Sequence, residues 1–307
     1  MKAIQTGQHE PNTPEWDALR ANGIGGSEIA AVVGLSPWQS RFSLWHLKRG
    51  TLPKQEENAG MRWGTILEPV ICDHFASQHP ELWCWEAGTF QHHERTWQLA
   101  NVDRMLMPTQ DVTADTQPLG ILEVKTASSF DAHEWGRGPE DIPPYYRCQV
   151  LWYLDVLELP VAHLAVLIGG SDYREYVIPY SASEAEWLRE QGAAFWQTVL
   201  DGDAPDIDGS DATYQAVRKL HPDIDGETVE IDPALHDWFQ TSKKTAEQAQ
   251  GEHVAAKATL LDAMGQARYA EADGVRVYRR QPNRSGVSLV SVPPFRADQT
   301  NLKEKSA

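Results

Sequence analysis

The 307-residue chain is short of positive charge. Lys and Arg total 27 against 44 Asp and Glu, a formal net charge of −17. That balance excludes a protein coated in broad basic surface, so any nucleic-acid contact must come from a local patch. Cysteine is scarce too. Cys72, Cys84 and Cys148 are odd in number, well separated and without C-x-x-C spacing. This argues against a disulfide framework or a zinc knuckle and makes reduced thiols the expectation. No apolar run approaches the roughly 18–20 residues of a membrane span, and Met1–Asn12 carries no apolar leader core. A cytoplasmic protein is expected. Eleven histidines include no H-E-x-x-H pair, so no histidine zinc site is expected. The turn Gly23-Ile24-Gly25-Gly26-Ser27 lacks the Gly-Lys-Ser ending of a P-loop. No strand precedes it, as a Gly-x-Ser-x-Gly nucleophile elbow requires.

What is present is segregated charge and a readable order of elements. Residues 1–70 balance seven bases against seven acids, 201–240 hold eleven acids and two bases, and 241–307 carry a net +4. Apolar residues at helical spacing predict a short turn over 15–20, and Ser27 is placed to cap a helix over 28–33. Ser36-Pro37 reads as the cap of the next helix. A longer helix is expected from Met61 through Phe75. Strand-like runs follow at 89–93, 97–102 and 119–126, the last two separated by the polar Pro108–Pro118 turn region. A buried helix over 145–157, strands over 162–168 and 173–178, and a helix opened by Ser183-x-x-Glu186 complete the front of the chain. Residues 234–265 read as a long helix or helical pair and 275–290 as a hairpin. An α/β core with a mixed sheet beginning near residue 89 is predicted. The expected division is 1–210 and a C-terminal extension, 211–307.

Chemistry concentrates in Leu119-Gly-Ile-Leu-Glu123-Val-Lys125-Thr126. Residues two apart on a strand share a face, so Glu123 and Lys125 project together beside an apolar run. Alone, Glu-x-Lys is commonly a cross-strand salt bridge. A hairpin would bring Asp103, in Val102-Asp103-Arg104, beside Glu123. Two carboxylates could then hold a divalent cation with an ammonium alongside. Glu68, in Gly64-Thr-Ile-Leu-Glu68-Pro69, lies on the apolar side of its helix, where an unpaired carboxylate is costly. Tyr146, Gln149 and Tyr153 share one face of another helix.

The order helix-Glu68, strand-Asp103, Glu123-x-Lys125 strand, Gln149-x-x-x-Tyr153 helix resembles the PD-(D/E)XK nuclease superfamily. Gly25-Gly-Ser27-Glu-Ile-Ala-Ala-Val-Val-Gly-Leu-Ser-Pro-Trp38, Trp63-Gly-x-x-x-Glu68-Pro69 and Tyr146-x-x-Gln149-Val-x-Trp152-Tyr153 resemble its lambda-exonuclease-like, YqaJ-type viral recombinase branch. Phe195-Trp196 and Gly202-Asp-Ala-Pro205 resemble its closing helix, so the likeness covers about residues 15–210.

The resemblance implies an α/β (α+β) restriction-endonuclease-like core with a central mixed sheet flanked by helices. Asp103, Glu123, the backbone carbonyl of Val124 and Glu68 would be metal ligands, with two Mg²⁺ ions (or Mn²⁺) per site. Lys125 would activate the nucleophile and Gln149 would orient the cluster. Arg20, Ser27, Tyr146 and Tyr153 would serve the DNA and its 5′-phosphate. Relatives carry an arginine where this chain has Asp131, so Arg137 or Arg147 would have to substitute. The implied activity is 5′-to-3′ exonucleolytic digestion of one strand of linear duplex DNA. Its products would be 5′-mononucleotides and a 3′ overhang. The implied assembly is a trimeric ring, and the implied partner is a single-strand annealing protein of a phage or prophage in a bacterial host. The alternatives are an end-independent or structure-directed endonuclease, and a non-catalytic DNA-end-binding scaffold. Arg20, Arg41, Lys48, Arg49 and Arg62 are the bases expected to face DNA.

Overall fold

The computed structural model describes residues 2–7, 13–113, 116–138, 140–284 and 286–292. Residues 8–12 of the N-terminal segment, 114–115 of the expected turn region, 285 of the hairpin and 293–307 of the extension lie outside the described residues. The chain forms two compact units, Met1–Asp223 and Ile224–Ala307.

In the first unit, strand β1 (Ile4–Gly7) is followed by helices α1 (Pro14–Ala21), α2 (Gly26–Val32), α3 (Arg41–Lys48) and α4 (Ala59–Gln78). Then come β2 (Trp83–Trp85), β3 (Gly88–Gln91), β4 (Leu99–Val102), β5 (Arg104–Met107) and β6 (Gly120–Ala127). Helix α5 (Pro144–Leu157), strands β7 (Val161–Ile168) and β8 (Asp172–Pro179), and helices α6 (Ala182–Asp201) and α7 (Asp211–Leu220) complete it. The central sheet runs β2-β5-β6-β7-β8. Only its β6–β7 pair is parallel, so the sheet is mixed.

The expected strands at 89–93 and 97–102 do not enter that sheet. As β3 and β4 they pair with β1 in a separate three-stranded sheet, and the central sheet begins at β2. The chain changes sheets between β4 and β5, at Asp103. The short strands β1, β2 and β5 have three or four residues each, too few to display a period.

Alternation along β6 sorts its side chains to two cores. Leu122 and Val124 pack with Ile71, Cys72 and Phe75 of α4. Ile121, one step away, joins the larger core with α5. Glu123 and Lys125 therefore face α5. Helix α5 is buried all round from Cys148 to Leu157, which is why its polar positions lie inside the protein.

Three caps differ from expectation. The cap of α2 is Gly25, with Ser27 inside the helix, because the Glu28 carboxylate accepts the Gly25 N–H at 2.7 Å. Helix α3 is capped by Ser40, four residues after Ser36, in reciprocal bonds with Ser43. Helix α6 starts after Ser181, two residues before the expected box.

The second unit holds α8 (Pro233–Met264) and the antiparallel strands β9 (Tyr269–Ala272), β10 (Val275–Asn283) and β11 (Gly286–Ser291). Helix α8 is one continuous 32-residue helix.

Candidate active site

The β5–β6 hairpin sets Arg104 opposite Leu122 and Met105 opposite Ile121. Continued one step, that register puts Asp103 beside Glu123. The Asp103 Oδ2 accepts the Val124 N–H at 2.7 Å, which ties the carboxylate to the neighbouring strand. Glu123 is buried. Its Oε1 receives Lys125 Nζ at 2.6 Å and Gln149 Nε2 at 2.5 Å. Its other oxygen, Oε2, is buried with no hydrogen-bond partner. Gln149 also donates to the Tyr153 hydroxyl at 3.2 Å. The Lys125 ammonium lies 4.9 Å from the Tyr146 ring centroid, a cation–π distance.

Glu68 comes to this cluster from α4, but its closest partner is one that sequence reasoning passed over. Arg104 Nη1 donates to Glu68 Oε1 at 2.9 Å and also to the Asp103 carbonyl. The only sequence signal for Arg104 is its adjacency to Asp103.

Three carboxylates thus crowd two cations, and their protonation shows it. Burial, then the charge of Glu123, lifts the Asp103 carboxyl to about 7. Burial raises Glu123 as well, against the pull of Lys125. Burial and the charge of Asp103 raise Glu68, opposed by Arg104. Burial works against the Lys125 ammonium, yet Glu123 and Asp103 together hold it above its ordinary value. Lys125 is therefore a firm cation in this arrangement. A buried unpartnered oxygen and carboxyls that resist ionising both mark a deficit of positive charge. Oxygen donors of this kind fit a hard divalent cation such as Mg²⁺.

A second constellation adjoins the first through Tyr153. Gly26 lets α2 approach α5 closely: a Cβ there would lie 2.3 Å from Tyr153 Cε1. Trp152 Nε1 donates to the carbonyls of Ile24 and Leu99 and so fixes the glycine turn on the core. Arg20 Nη2 donates to Ser27 Oγ at 3.1 Å and pairs with Glu28 at 2.8 Å. Lys48 Nζ, also buried, donates to both Glu28 oxygens at 2.9 and 2.8 Å. Glu28 was not foreseen. It reads in sequence as one more helix residue, and its partners come from two other helices.

Burial alone would raise the Glu28 carboxyl, but Arg20 and Lys48 hold it down to about 2. A depressed carboxyl stabilises the fold above its unfolded value near 4.5, and that contribution fades as pH falls toward 2. Glu28→Gln should therefore cost about 3 kcal/mol at pH 7 by stranding buried cations. The deficit should shrink at pH 3, as checked by denaturant unfolding at both values.

Of the bases expected to face DNA, Lys48 is withdrawn, its side chain buried on Glu28. Arg49 and Arg62 are exposed, Arg49 donating to the Val199 carbonyl, and the half-buried Arg41 guanidinium sits 5.5 Å from the Phe195 ring centroid. Of the candidates to replace the arginine absent at Asp131, Arg147 is gripped by both Glu184 oxygens at 2.9 and 2.8 Å, and Arg137 is exposed. Exposed aromatics lie nearby: Trp38 meets Tyr145 edge-on at 4.9 Å, and Phe130, unremarked in the sequence, is 88% exposed three residues after β6.

Residues 15–160 match the YqaJ-like viral recombinase domain. That stretch reads as a YqaJ-like viral recombinase domain. It is 32% identical over 220 residues to the protein YqaJ of Bacillus subtilis (strain 168), across 70% of this chain and 66% of that one. The match thus spans just under two thirds of that relative's length. A 58-residue stretch, 19% of this chain and 17% of the relative, is 36% identical to protein D345L of African swine fever virus (strain Badajoz 1971 Vero-adapted). Among solved structures, LHK-Exo, an alkaline exonuclease from Laribacter hongkongensis, superposes in its complex with dAMP at a TM-score of 0.50 and 18% identity. The superposition covers 62% of this chain and 94% of that one. It shows a shared fold. No helix among the described residues is long and apolar enough to cross a membrane.

Proposed function

We propose that this chain is a divalent-metal-dependent 5′-to-3′ exonuclease acting on the ends of linear double-stranded DNA. It would release 5′-mononucleotides and leave a 3′ overhang. The observation that carries this reading is the orphaned Glu123 Oε2 beside Asp103, whose carboxyl burial and the charge of Glu123 lift to about 7. Asp103, Glu123, Glu68 and the Val124 carbonyl are the ligands proposed for Mg²⁺, with Mn²⁺ as a substitute and two ions per site. The bound metal supplies Lewis-acid charge that stabilises the phosphate in the transition state.

The chain's own residues prepare that chemistry. Lys125, a persistent cation, stabilises charge and orients the attacking water; its raised proton affinity speaks against a role as the initial base. Gln149 fixes the Glu123 rotamer, and Tyr153 supports Gln149 from within the core. Arg20 and Ser27 are assigned to the 5′-phosphate, with Tyr146 bordering the path of the strand. A trimeric ring and a single-strand annealing partner follow from the family reading, as does a cytoplasmic site of action in a phage-carrying bacterium.

The test is digestion of 5′-phosphorylated linear duplex with and without Mg²⁺, alongside circular duplex and the Lys125→Ala variant. Mononucleotide release from the linear substrate alone, lost in the variant, is expected. Cutting of the circle would establish an endonuclease instead. Binding of ends without hydrolysis would establish a scaffold.

A further inference from the structure

The other face of the central sheet carries a cluster that the nuclease reading does not use. His79 caps the C-terminus of α4, His163 lies on β7 and Glu175 on β8. In the β7–β8 register His163 faces Val177 and Ala165 faces Glu175, so the two side chains are diagonal neighbours on one face. His79 Nε2 approaches Glu175 Oε1 at 2.9 Å, and His163 Nδ1 approaches the same oxygen at 3.1 Å. One ligand atom from each residue lies within 4.8 Å of the other two.

We propose that His79, His163 and Glu175 form a binding site for a zinc-class transition-metal ion, joining the end of α4 to β7 and β8. Two imidazoles and a carboxylate are a donor set that suits zinc, with water as the fourth ligand. Donors on a tetrahedral ion lie roughly 3.3 Å apart. The two nitrogen–oxygen separations, 2.9 and 3.1 Å, therefore need to open by only a few tenths of an ångström, and the two ring nitrogens lie within 4.8 Å of each other. The surroundings are also those of a ligand site. The other ring nitrogen of His79, Nδ1, meets Glu81 Oε1 at 3.3 Å. A carboxylate there fixes the ring and makes Nε2 a better donor. The His79 ring stacks on Phe75 at 4.4 Å, and Tyr173 donates to Glu175 Oε2 at 3.4 Å. Three separate elements supply the ligands, so an ion would tether the far end of the helix that carries Glu68.

A similar group, His92, His93 and Glu158, is not equivalent. His92 Nδ1 already accepts the N–H groups of Glu94 and Arg95, each at 3.1 Å. That leaves the ring proton on Nε2, so neither nitrogen offers a free lone pair. The expectation of no histidine metal site rested on short sequence motifs, and these ligands are 84 and 12 residues apart.

The experiment uses the full chain carrying Glu123→Gln, which weakens the other metal site, incubated with zinc sulfate and dialysed. Elemental analysis should find one zinc per chain, and zinc should raise the Tm. His163→Ala and Glu175→Gln, introduced separately, should lower zinc affinity at least about tenfold, whereas His92→Ala should not. Cobalt(II) loading should give the visible absorption of a tetrahedral site, absent in His163→Ala. Circular dichroism identifies any variant that fails to fold, and the remaining variant then decides. Absence of bound zinc in the folded Glu123→Gln chain overturns the site, as does zinc retained equally by every folded ligand variant. In that case the cluster is a hydrogen-bonded latch only.

Discussion

Glu123→Gln is expected to lower nucleotide release from linear duplex DNA by about 10³-fold, the scale of removing one preorganised electrostatic group from a transition state. Glutamine keeps the shape of the side chain but not the charge that, in our proposal, holds the metal. Folding should survive, with a Tm within a few degrees of the parent. The carboxylate sits among Asp103 and Glu68, and losing one of three crowded negative charges relieves repulsion even as it weakens the pairing with Lys125. The informative result is the pair of measurements together: acid-soluble nucleotide release collapses while thermal unfolding barely moves. Activity within tenfold of the parent would remove Glu123 from the metal site. A collapse of both would assign it a structural role.

The second large effect concerns pH. Burial and the charge of Glu123 lift Asp103 to about 7, so below that pH a cation must displace a proton before it can bind. Metal binds the ionised form, and a raised carboxyl keeps its proton to higher pH. Apparent Mg²⁺ affinity should therefore rise about tenfold per pH unit up to about pH 7 and flatten above it. Between pH 5 and pH 7 this amounts to about 100-fold. Isothermal titration in buffers of different ionisation enthalpy measures both the affinity and the released proton. Affinity independent of pH from 5 to 7, with no proton release, would show that Asp103 is already ionised in the metal-free protein. Activity assays at fixed, subsaturating Mg²⁺ should follow the same curve, whereas saturating Mg²⁺ should shift the rise to lower pH.

The two effects rest on different degrees of legibility. Glu123-x-Lys125 was readable because strand alternation is a local rule: two residues apart on β6 means one face, and the structure keeps both beside α5. Gln149 and Tyr153 followed from helical spacing for the same reason. Asp103 was placed beside Glu123 by supposing a hairpin, and the β5–β6 register provides one. The sheet to which its neighbours belong was not readable. Residues 89–102 have strand-like composition, but nothing local says whether such a strand joins the central sheet or pairs with β1. That choice is made by contacts some eighty residues away along the chain.

Charge was the least transparent feature. Net −17 argues against a basic coat, but which bases are free is not legible from their number. Lys48 is buried on Glu28 and Arg147 is gripped by Glu184, whereas Arg49 and Arg62 are exposed. Sequence counts charges, and burial decides which of them still face solvent.

By itself, the sequence determined most of the longer elements, the faces on which Glu123, Lys125, Gln149 and Tyr153 lie, and the likeness of residues 15–160 to a YqaJ-like viral recombinase domain. These depend on residue type and spacing, and both are local. The tertiary structure alone decided that Arg104 answers Glu68, that Glu28 collects Arg20 and Lys48, that Glu123 Oε2 is left without a partner, and that His79, His163 and Glu175 converge. Each of these depends on which distant segments the packed core brings within a few ångströms, and on how much water that packing removes from around a charge.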